Sequence, residues 1–401
     1  MRLPLIPVII LILVNLLVDS HIYRVCRRRF RSAVPARIQM WSSVALWVFL
    51  IVTLCLPRRG GDDSMLLTIM WMLFSYISIY VAKYIFVIFD LISRLPVLAH
   101  HRPWRPVSVA GVVAAVLAFV AIWWGALVNR FRIDVRETTI EIAGLPDAFD
   151  GYRMVQISDL HTGTYGGDDT YLREIAARIG ALSPDVVLFT GDIVNSRSSE
   201  IDPYIDALAG IKARDGVYAI LGNHDYGDYA DWPSDDIKED SRRYLREAIG
   251  RMGWRLLLNE TVMLRQDKDS IALIGVENIG DPPFHVYGSL GTAYPTPTDS
   301  VCKILLPHNP AHWVDSIAGS GLNIPLTLSG HTHAMQMEVG GWSPAVFRYP
   351  TWGGLYADSD SAHQLYVNIG IGTVGFPARI GATPEITVIT LKKKDSQPQL
   401  H

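Results

Sequence analysis

The chain has 401 residues, of which 49% are hydrophobic, and its mean hydropathy of +0.21 is too high for an ordinary soluble enzyme. Residues 1–128 carry 13 Lys and Arg against 4 Asp and Glu, a net charge of +9, whereas the remaining 273 residues carry 23 against 35, a net charge of −12. A membrane part is therefore joined to an acidic part that gains nothing from counterion release on a nucleic acid, so we expect no nucleic-acid partner. The three cysteines exclude a disulfide scaffold.

Four apolar runs occupy the basic part, at 3–18, 41–56, 65–89 and 107–128. The last has 22 residues without a charge, enough to cross about 30 Å of hydrocarbon. The first two are short and need flanking residues to span. We expect about four transmembrane helices within 1–128, with three as the alternative. We expect the first run to be a retained anchor, since no small-residue cleavage site follows it.

Arginines in the loops between these runs predict the orientation. Loop one contains Arg24, Arg27, Arg28, Arg29, Arg31 and Arg37, loop three contains Arg94, Arg102 and Arg105, and loop two balances Arg58 and Arg59 with Asp62 and Asp63. Short loops rich in Lys and Arg stay in the cytoplasm. We therefore expect a multi-pass inner-membrane protein whose acidic part is periplasmic or extracellular, although Arg130, Arg132 and Arg136 oppose this orientation.

Two charges, Lys83 and Asp90, interrupt the third apolar run. Charges inside a membrane are costly and often mark function. Both lie toward the predicted cytoplasmic end, so we interpret Lys83 as a snorkelling side chain and Asp90 as a carboxylate at a helix end.

The acidic part alternates short apolar runs with helical segments, which predicts an α/β domain. We expect a linker and first strand at 129–150, the domain itself at 151–395 and a polar tail at 396–401. Predicted strands lie at 154–158, 186–190, 217–221, 256–258, 271–276, 303–306, 326–328, 365–368 and 386–391, and predicted helices at 171–179 and 244–252.

Polar groups stand directly after five of these predicted strands. They are Asp159 and His161, then Gly191-Asp192, then Gly222-Asn223-His224-Asp225, then His308, and finally Gly330-His331-Thr332-His333. Because open α/β sheets form their ligand crevice at the carboxyl ends of the strands, we expect these groups to meet there.

The chemistry of this set predicts a metal site. Imidazole and carboxylate together suit Mn, Fe, Co and Zn, whereas oxygen ligands alone suit Mg or Ca. In an extended chain, Asp159 and His161 point the same way, as do His331 and His333, so each pair can meet one ion. Seven ligands are too many for one tetrahedral ion and suit two ions that share a carboxylate. Asp192, in a tight glycine turn, is the natural bridge. We expect two divalent ions, with Mn first and Fe, Zn or Co as alternatives.

The order Asp-x-His, Gly-Asp, Gly-Asn-His-Asp, His and Gly-His-x-His resembles that of the calcineurin-like metallophosphoesterases. The resemblance covers about 152–391, and its closing stretch through 366–372, Arg379 and 384–386 is similar to the bacterial membrane-associated branch of the family. It implies an αββα sandwich of two mixed sheets. Purple acid phosphatases have a tyrosine where this chain has Asn195, so a tyrosinate-iron site is not expected.

The resemblance also implies roles for individual residues. One metal would be held by Asp159, His161, Asp192 and His333, and the other by Asp192, Asn223, His308 and His331. His224 would face the phosphate and act on the leaving group, with Asp225 orienting its imidazole through a hydrogen bond. Arg379 would contact the substrate phosphate or form a salt bridge.

Together these features predict a membrane-anchored dinuclear-metal phosphohydrolase that works through in-line attack by a metal-bridging hydroxide. We expect a phosphodiesterase, and because the domain is tethered we expect membrane lipids as partners and a lipid or lipid-linked phosphate ester as substrate. The oligomeric state is not predicted. The alternative is a metal-dependent receptor or sensor for a phosphate ligand that signals through the helices.

Two further segments carry open interpretations. The acidic stretch 225–240 is expected to be a solvated loop in preference to a further metal site, and its position beside His224 leaves room for a role in substrate selection. The aromatic stretch 342–356 is either a loop that packs in the core or an interfacial lip that dips into the bilayer.

Overall fold

The computed structural model describes residues 5–56, 63–280, 285–294, 301–359 and 361–394. Its contacts divide the chain into two compact units, Met1–Leu127 with Gly375–Ala378, and Val128–Val374 with Arg379–His401. The predicted polar tail and the loop-two charges Arg58, Arg59 and Asp62 lie outside the described residues.

The first unit contains four long helices. They are α1 (Leu5–Arg29), α2 (Val34–Cys55), α3 (Asp63–Ser93) and α4 (Arg105–Leu127). All four are long and apolar enough to cross a membrane, which confirms the four predicted spans. The helix α1 continues to Arg29, well beyond the predicted apolar run at 3–18. A helix satisfies its own backbone hydrogen bonds, so it can extend through polar residues after the apolar run ends.

Polar side chains inside this unit pair with one another. Lys83 Nζ lies 2.8 Å from Asp19 Oδ1, and the Tyr80 hydroxyl donates to the same carboxylate at 2.8 Å. Asp90 accepts from Arg94 Nε at 2.7 Å. The snorkelling interpretation of Lys83 is therefore wrong: pairing within the bundle removes the cost of an isolated charge in hydrocarbon.

Two mixed six-stranded sheets build the second unit. The first sheet has the order β1-β12-β2-β3-β4-β5 and the second has the order β10-β11-β9-β8-β7-β6. The strands are β1 (Asp134–Ile142), β2 (Arg153–Ile157), β3 (Val186–Phe189), β4 (Val217–Ala219), β5 (Arg255–Leu256), β6 (Glu260–Gln266), β7 (Asp269–Gly275), β8 (Lys303–Leu306), β9 (Leu326–Ser329), β10 (Gly354–Ala357), β11 (Gln364–Val367) and β12 (Glu385–Lys393). In the first sheet, β2 to β5 run parallel, and in the second, β7, β8, β9 and β11 run parallel.

Helices cover the outer faces of both sheets. They are α5 (Thr170–Ala181), α6 (Ile205–Leu208), α7 (Asp235–Arg251), α8 (Leu290–Ala293) and α9 (Ala311–Ser316). Successive side chains of a strand point to opposite faces of the sheet and so belong to different hydrophobic cores. Val155 packs under α5 to α7, whereas its neighbour Met154 packs between the two sheets. A third core, which includes Leu305 and Trp313, lies between the second sheet and α9. This layering confirms the αββα sandwich.

Part of the acidic stretch 225–240 is helical, which corrects the expectation of a solvated loop. The Ser234 hydroxyl accepts from Ile237 N and caps α7. Asp235 and Asp236 occupy the first turn, where negative charge is favourable to the helix dipole.

Candidate metal centre

The five polar groups predicted from the sequence meet where the carboxyl ends of the two sheets face each other. Backbone hydrogen bonds join their loops: Asp159 N donates to Gly191 O at 2.9 Å, and Gly330 N donates to His308 O at 3.0 Å. Across the two sheets, His331 N donates to Asp159 Oδ2 at 3.0 Å. The loops therefore support one another, so that each ligand position depends on several strands.

Two groups of side chains form within this crevice, each with potential ligand atoms within 4.8 Å of one another. The first contains Asp159, His161 and His333, and the second contains Asp192, His308 and His331. Oδ2 of Asp192 lies 3.1 Å from His308 Nε2 in its own group and 3.6 Å from His161 Nε2 in the other. One carboxylate oxygen thus lies between the two groups, while Oδ1 accepts from the His224 backbone N–H at 2.9 Å.

The backbone at these residues is unusual. Positive φ angles occur at Asp159 (54°), His161 (47°), Asp192 (61°), His331 (75°) and His333 (49°). Left-handed geometry costs an ordinary residue about 1–2 kcal/mol and survives where the surroundings impose it, often at functional sites. The assumption of an extended chain is therefore wrong, and the turn sends His331 and His333 into different groups.

Glycines permit the close approach of the loops. A Cβ at Gly222 would lie 2.1 Å from Asp192 Oδ1, and one at Gly330 would lie 1.9 Å from Ser158 Oγ. No side chain fits at either position without displacement of these neighbours, so the glycines allow the ligand loops to touch.

Hydrogen bonds fix the orientation of the imidazoles in the second group. His308 Nδ1–H donates to Thr190 O at 2.7 Å, so that Nε2 is the ring nitrogen that faces Asp192. His331 presents Nδ1 to His308, and its Nε2 lies 2.9 Å from the Tyr349 hydroxyl. Such outer hydrogen bonds hold the tautomer that a metal-ligating histidine requires.

The electrostatics of the crevice favour anionic carboxylates. Burial by itself would raise the pKa of Asp192, yet His308 and His224 hold that pKa well below its usual range. Burial would lower the pKa of His308, but the Asp192 and Asp159 carboxylates raise it to about 9. Burial and the nearby His308 lower the pKa of His331 to about 3. Two buried carboxylates surrounded by imidazoles form a site that attracts cations.

His224 lies at the edge of both groups. Its Nδ1–H donates to Asn195 O at 2.6 Å, and its ring stacks on Tyr229 with centroids 4.2 Å apart. Because Nδ1 is committed to a carbonyl, Nε2 is the nitrogen available for exchange of a proton.

Asp225 has a different role from the one expected. Its carboxylate accepts from four backbone N–H groups, those of Asp192, Ile193, Val194 and Gly222, at 2.8–3.1 Å. The expected hydrogen bond from Asp225 to the His224 imidazole is therefore replaced by the Asn195 carbonyl, since both carboxylate oxygens are used to hold the Asp192 turn.

Arg379 is fully buried, which corrects its expected contact with substrate. The guanidinium donates to the carbonyls of Gly372, Ile369 and Ala382, and its Nη2 lies 3.1 Å from His333 Nδ1. Arg379 thus supports the loop behind His333, and among the described residues its guanidinium is bonded to carbonyls and forms no salt bridge.

Two oxygen atoms of predicted ligand residues are buried and form no hydrogen bond among the described residues, Asp159 Oδ1 and Asn223 Oδ1. The groups nearest to Asp159 Oδ1 are the imidazoles of its own ligand group, with His333 Nε2 at 3.1 Å and His161 Nε2 at 3.9 Å. Buried polar atoms are nearly always satisfied, so each such atom requires an explanation. Oxygen atoms without a hydrogen bond, next to imidazole nitrogens, are available as ligands of a divalent metal. A set of oxygen and nitrogen ligands suits Mn, Fe, Co or Zn.

A cavity of about 270 Å³ opens beside the centre. It is lined by Asn223, His224, Tyr229, Asn278, Gly280, Asn309, His331, Arg348 and Tyr349. Sequence reasoning missed Tyr229, Arg348 and Tyr349. The only available signal was position: Tyr229 follows the Gly-Asn-His-Asp group closely, and the other two lie in the aromatic stretch that follows Gly-His-x-His.

Comparisons with known proteins agree with this geometry. Residues 152–335 match the calcineurin-like phosphoesterase family model, and residues 1–130 match the model of a probable calcineurin-like phosphoesterase transmembrane domain. The chain is 30% identical over 266 residues to the metallophosphoesterase YkuE of Bacillus subtilis, covering 65% of this chain and 86% of the relative.

Two other relatives carry membrane or lipid terms in their names. A transmembrane protein with metallophosphoesterase domain from Danio rerio is 28% identical over 392 residues, 92% of this chain and 84% of the relative. The UDP-2,3-diacylglucosamine pyrophosphatase LpxG of Chlamydia muridarum is 26% identical over 339 residues, 70% of this chain and 96% of the relative. The chain belongs to the calcineurin-like phosphoesterase family and is a phosphoester hydrolase anchored in a membrane by four helices.

Proposed function

We propose that the chain is a dinuclear-metal phosphodiesterase whose substrate is a lipid or lipid-linked phosphate ester. The observation that carries the dinuclear site is the position of Asp192 Oδ2, which lies between the two ligand groups, at 3.1 Å from His308 and 3.6 Å from His161. A single ion would not need a carboxylate shared in this way.

The proposed ligands follow from this arrangement. Asp159, His161, Asp192 and His333 would hold one ion, and Asp192, Asn223, His308 and His331 the other. Bound divalent ions would supply positive charge for the phosphoryl oxygens and for activation of an attacking water. Mn is the ion that we expect, and the proposed catalytic domain spans 151–395.

This chain's own residues would perform the remaining steps. His224 lies beside the centre and would deliver a proton from Nε2 to the leaving oxygen, while the Asn195 carbonyl holds Nδ1. The adjoining cavity contains Arg348, Asn278 and Asn309, whose side chains suit a polar group next to the phosphate. A second ester group would lie in this cavity, which favours a diester over a monoester.

The lipid-linked substrate is supported by the anchor and by one of the relatives. The four helices keep the centre attached to a bilayer, and the Chlamydia muridarum relative is named for UDP-2,3-diacylglucosamine, a diacylated sugar joined to a nucleotide diphosphate. At 26% identity, that name supports a class of substrate for this chain, a phosphate ester joined to a lipid.

A hydrolysis screen of the purified full-length protein tests this proposal. Metal is removed with EDTA and Mn is restored, and rates are compared for bis-nitrophenyl phosphate, nitrophenyl phosphate, a phospholipid and a lipid-linked diphosphate. We expect activity that requires metal, diesters faster than the monoester, and lipid substrates faster than soluble ones. Faster hydrolysis of the monoester would overturn the diesterase assignment, and activity unaffected by EDTA would overturn the metal assignment.

A further inference from the structure

An apolar projection lies next to the cavity. We call residues 339–347 the lip. Its exposed side chains are Phe347, Val339, Trp342 and Val346, which are 82%, 66%, 49% and 37% exposed. The lip contains no charged residue. Large apolar side chains grouped on a surface mark an interaction site.

The lip is an ordered element. Val339 and Trp342 pair across a Gly-Gly turn, and the Trp342 and Phe347 rings contact edge to face with centroids 6.0 Å apart. Ser343 and Ala345 are fully buried, and the Ser343 hydroxyl donates to Ala334 O at 2.6 Å. The small residues of the lip are therefore buried and attach it to the domain, while its large apolar side chains are exposed on the surface.

The lip leads directly into the candidate site. Arg348 and Tyr349 follow it in the chain and line the cavity that also contains His224. The Tyr349 hydroxyl lies 2.9 Å from His331 Nε2. The exposed apolar surface and the metal centre are thus joined by two consecutive residues.

Backbone and side-chain contacts within the second unit hold the segment that precedes the lip. Asn129 Nδ2 donates to Arg379 O at 2.9 Å, and Ile380 forms a bridge with Met337, which lies two residues before the lip. The N-terminal side of the lip is therefore fixed to the domain that contains the candidate site.

We propose that the lip inserts into the lipid surface of the bilayer that anchors the protein, and that the cavity takes the phosphate headgroup of a lipid at this interface. Trp prefers the boundary between water and hydrocarbon, and Phe is a typical residue of the apolar face that such interfacial segments bury among the lipids. The occupant that we propose is a bilayer, because the lip carries no charged residue and the four helices already hold the protein at a membrane. Insertion of the lip into the bilayer requires only the membrane anchor, whereas delivery of a lipid substrate to the cavity rests on the proposed function.

Depth-dependent quenching tests the insertion. In full-length protein with Cys26, Cys55 and Cys302 replaced by Ser, a single Phe347→Cys carries an environment-sensitive NBD label after reconstitution in phosphatidylcholine vesicles. The matched controls are Val314→Cys in α9 and Ile237→Cys in α7, which are apolar and 46% and 44% exposed. We expect a blue shift and strong quenching by spin-labelled lipid at position 347 only. Quenching at 347 no stronger than at both controls overturns the proposal.

A kinetic comparison tests the delivery of substrate. Phe347→Ser should raise KM for a phosphodiester presented on vesicles about tenfold through lost apolar burial. Hydrolysis of a soluble diester should be unchanged, as it should be for both substrates in Val314→Ser. An equal loss on soluble and vesicle substrates overturns delivery. If no diester is hydrolysed, the proposed function fails, while the quenching result still decides whether the lip inserts.

Discussion

The His224 imidazole is held at one nitrogen and open at the other, because Nδ1–H donates to the Asn195 carbonyl and the ring stacks on Tyr229. This arrangement suits a group that moves a proton without ligating metal. His224→Ala should lower turnover by about 10²–10⁴-fold, the usual contribution of general acid catalysis, while metal content stays at the wild-type level. The loss should shrink for substrates with good leaving groups such as nitrophenol.

The control for this variant is His285→Ala, which removes an exposed histidine outside both ligand groups and should leave turnover unchanged. Steady-state rates across a series of leaving groups, with metal analysis of each preparation, provide the readout. Equal losses for good and poor leaving groups would refute the acid role.

Asp225 neighbours His224 in the chain but holds the backbone of the Asp192 turn. Asp225→Ala would leave four buried N–H groups without a partner, at about 1–3 kcal/mol each. We expect a lower melting temperature together with lost metal, whereas His224→Ala should change neither. Differential scanning fluorimetry of both variants makes the comparison, and an Asp225→Ala protein with wild-type melting and metal content would contradict this role.

Strand ends are the elements that assemble the centre, and glycines set how closely their loops approach. A Cβ at Gly330, which follows β9, would lie 1.9 Å from Ser158 Oγ and 2.4 Å from Asp159 Oδ2. Gly330→Ala should therefore displace Asp159 and weaken metal binding at least tenfold, as measured by titration with Mn. Gly321→Ala, which precedes β9 and meets nothing within 4 Å, is the matched control. Equal affinity in the two variants would show that the close approach is not required.

The strands and the ligand residues were predictable from the sequence because buried parallel strands are short apolar runs with polar residues at their ends. Thus β8 occupies the predicted 303–306, and Asp192 lies after β3 as expected. The strands β6 and β10 were missed because neither is a continuous buried apolar run: exposure alternates along both, and a glycine opens β10. The contacts of Tyr349 with His331 and of Asn195 with His224 could not be predicted, because each joins residues far apart in the chain. The Asn195 contact also uses a backbone carbonyl, which is the same in every residue type.

At the scale of the whole molecule, the arginine-rich loops and the four spans decide which side of the membrane holds the centre. We propose that it faces the periplasm or the cell exterior. A single Arg243→Cys on the exposed surface of α7, in a Cys-free background, should react with an impermeant maleimide in intact spheroplasts.

Labelling only after lysis would place the centre in the cytoplasm instead. It would also show that Arg130, Arg132 and Arg136, and not the loop arginines, determine the orientation of the protein in the membrane. The control on the opposite side of the membrane is a protein that retains Cys26 as its single cysteine. Cys26 lies in the arginine-rich end of α1, so we expect it to react with the maleimide only after lysis.

Metal content and turnover of the intact protein test the central claim most directly. Full-length wild type loaded with Mn and freed of excess metal should contain about two ions per chain by mass spectrometry. Asp192→Asn removes the carboxylate oxygen that lies between the ligand groups. It should therefore lose most of its metal together with phosphodiester hydrolysis. An Asp192→Asn protein that keeps both ions and wild-type turnover would contradict the account.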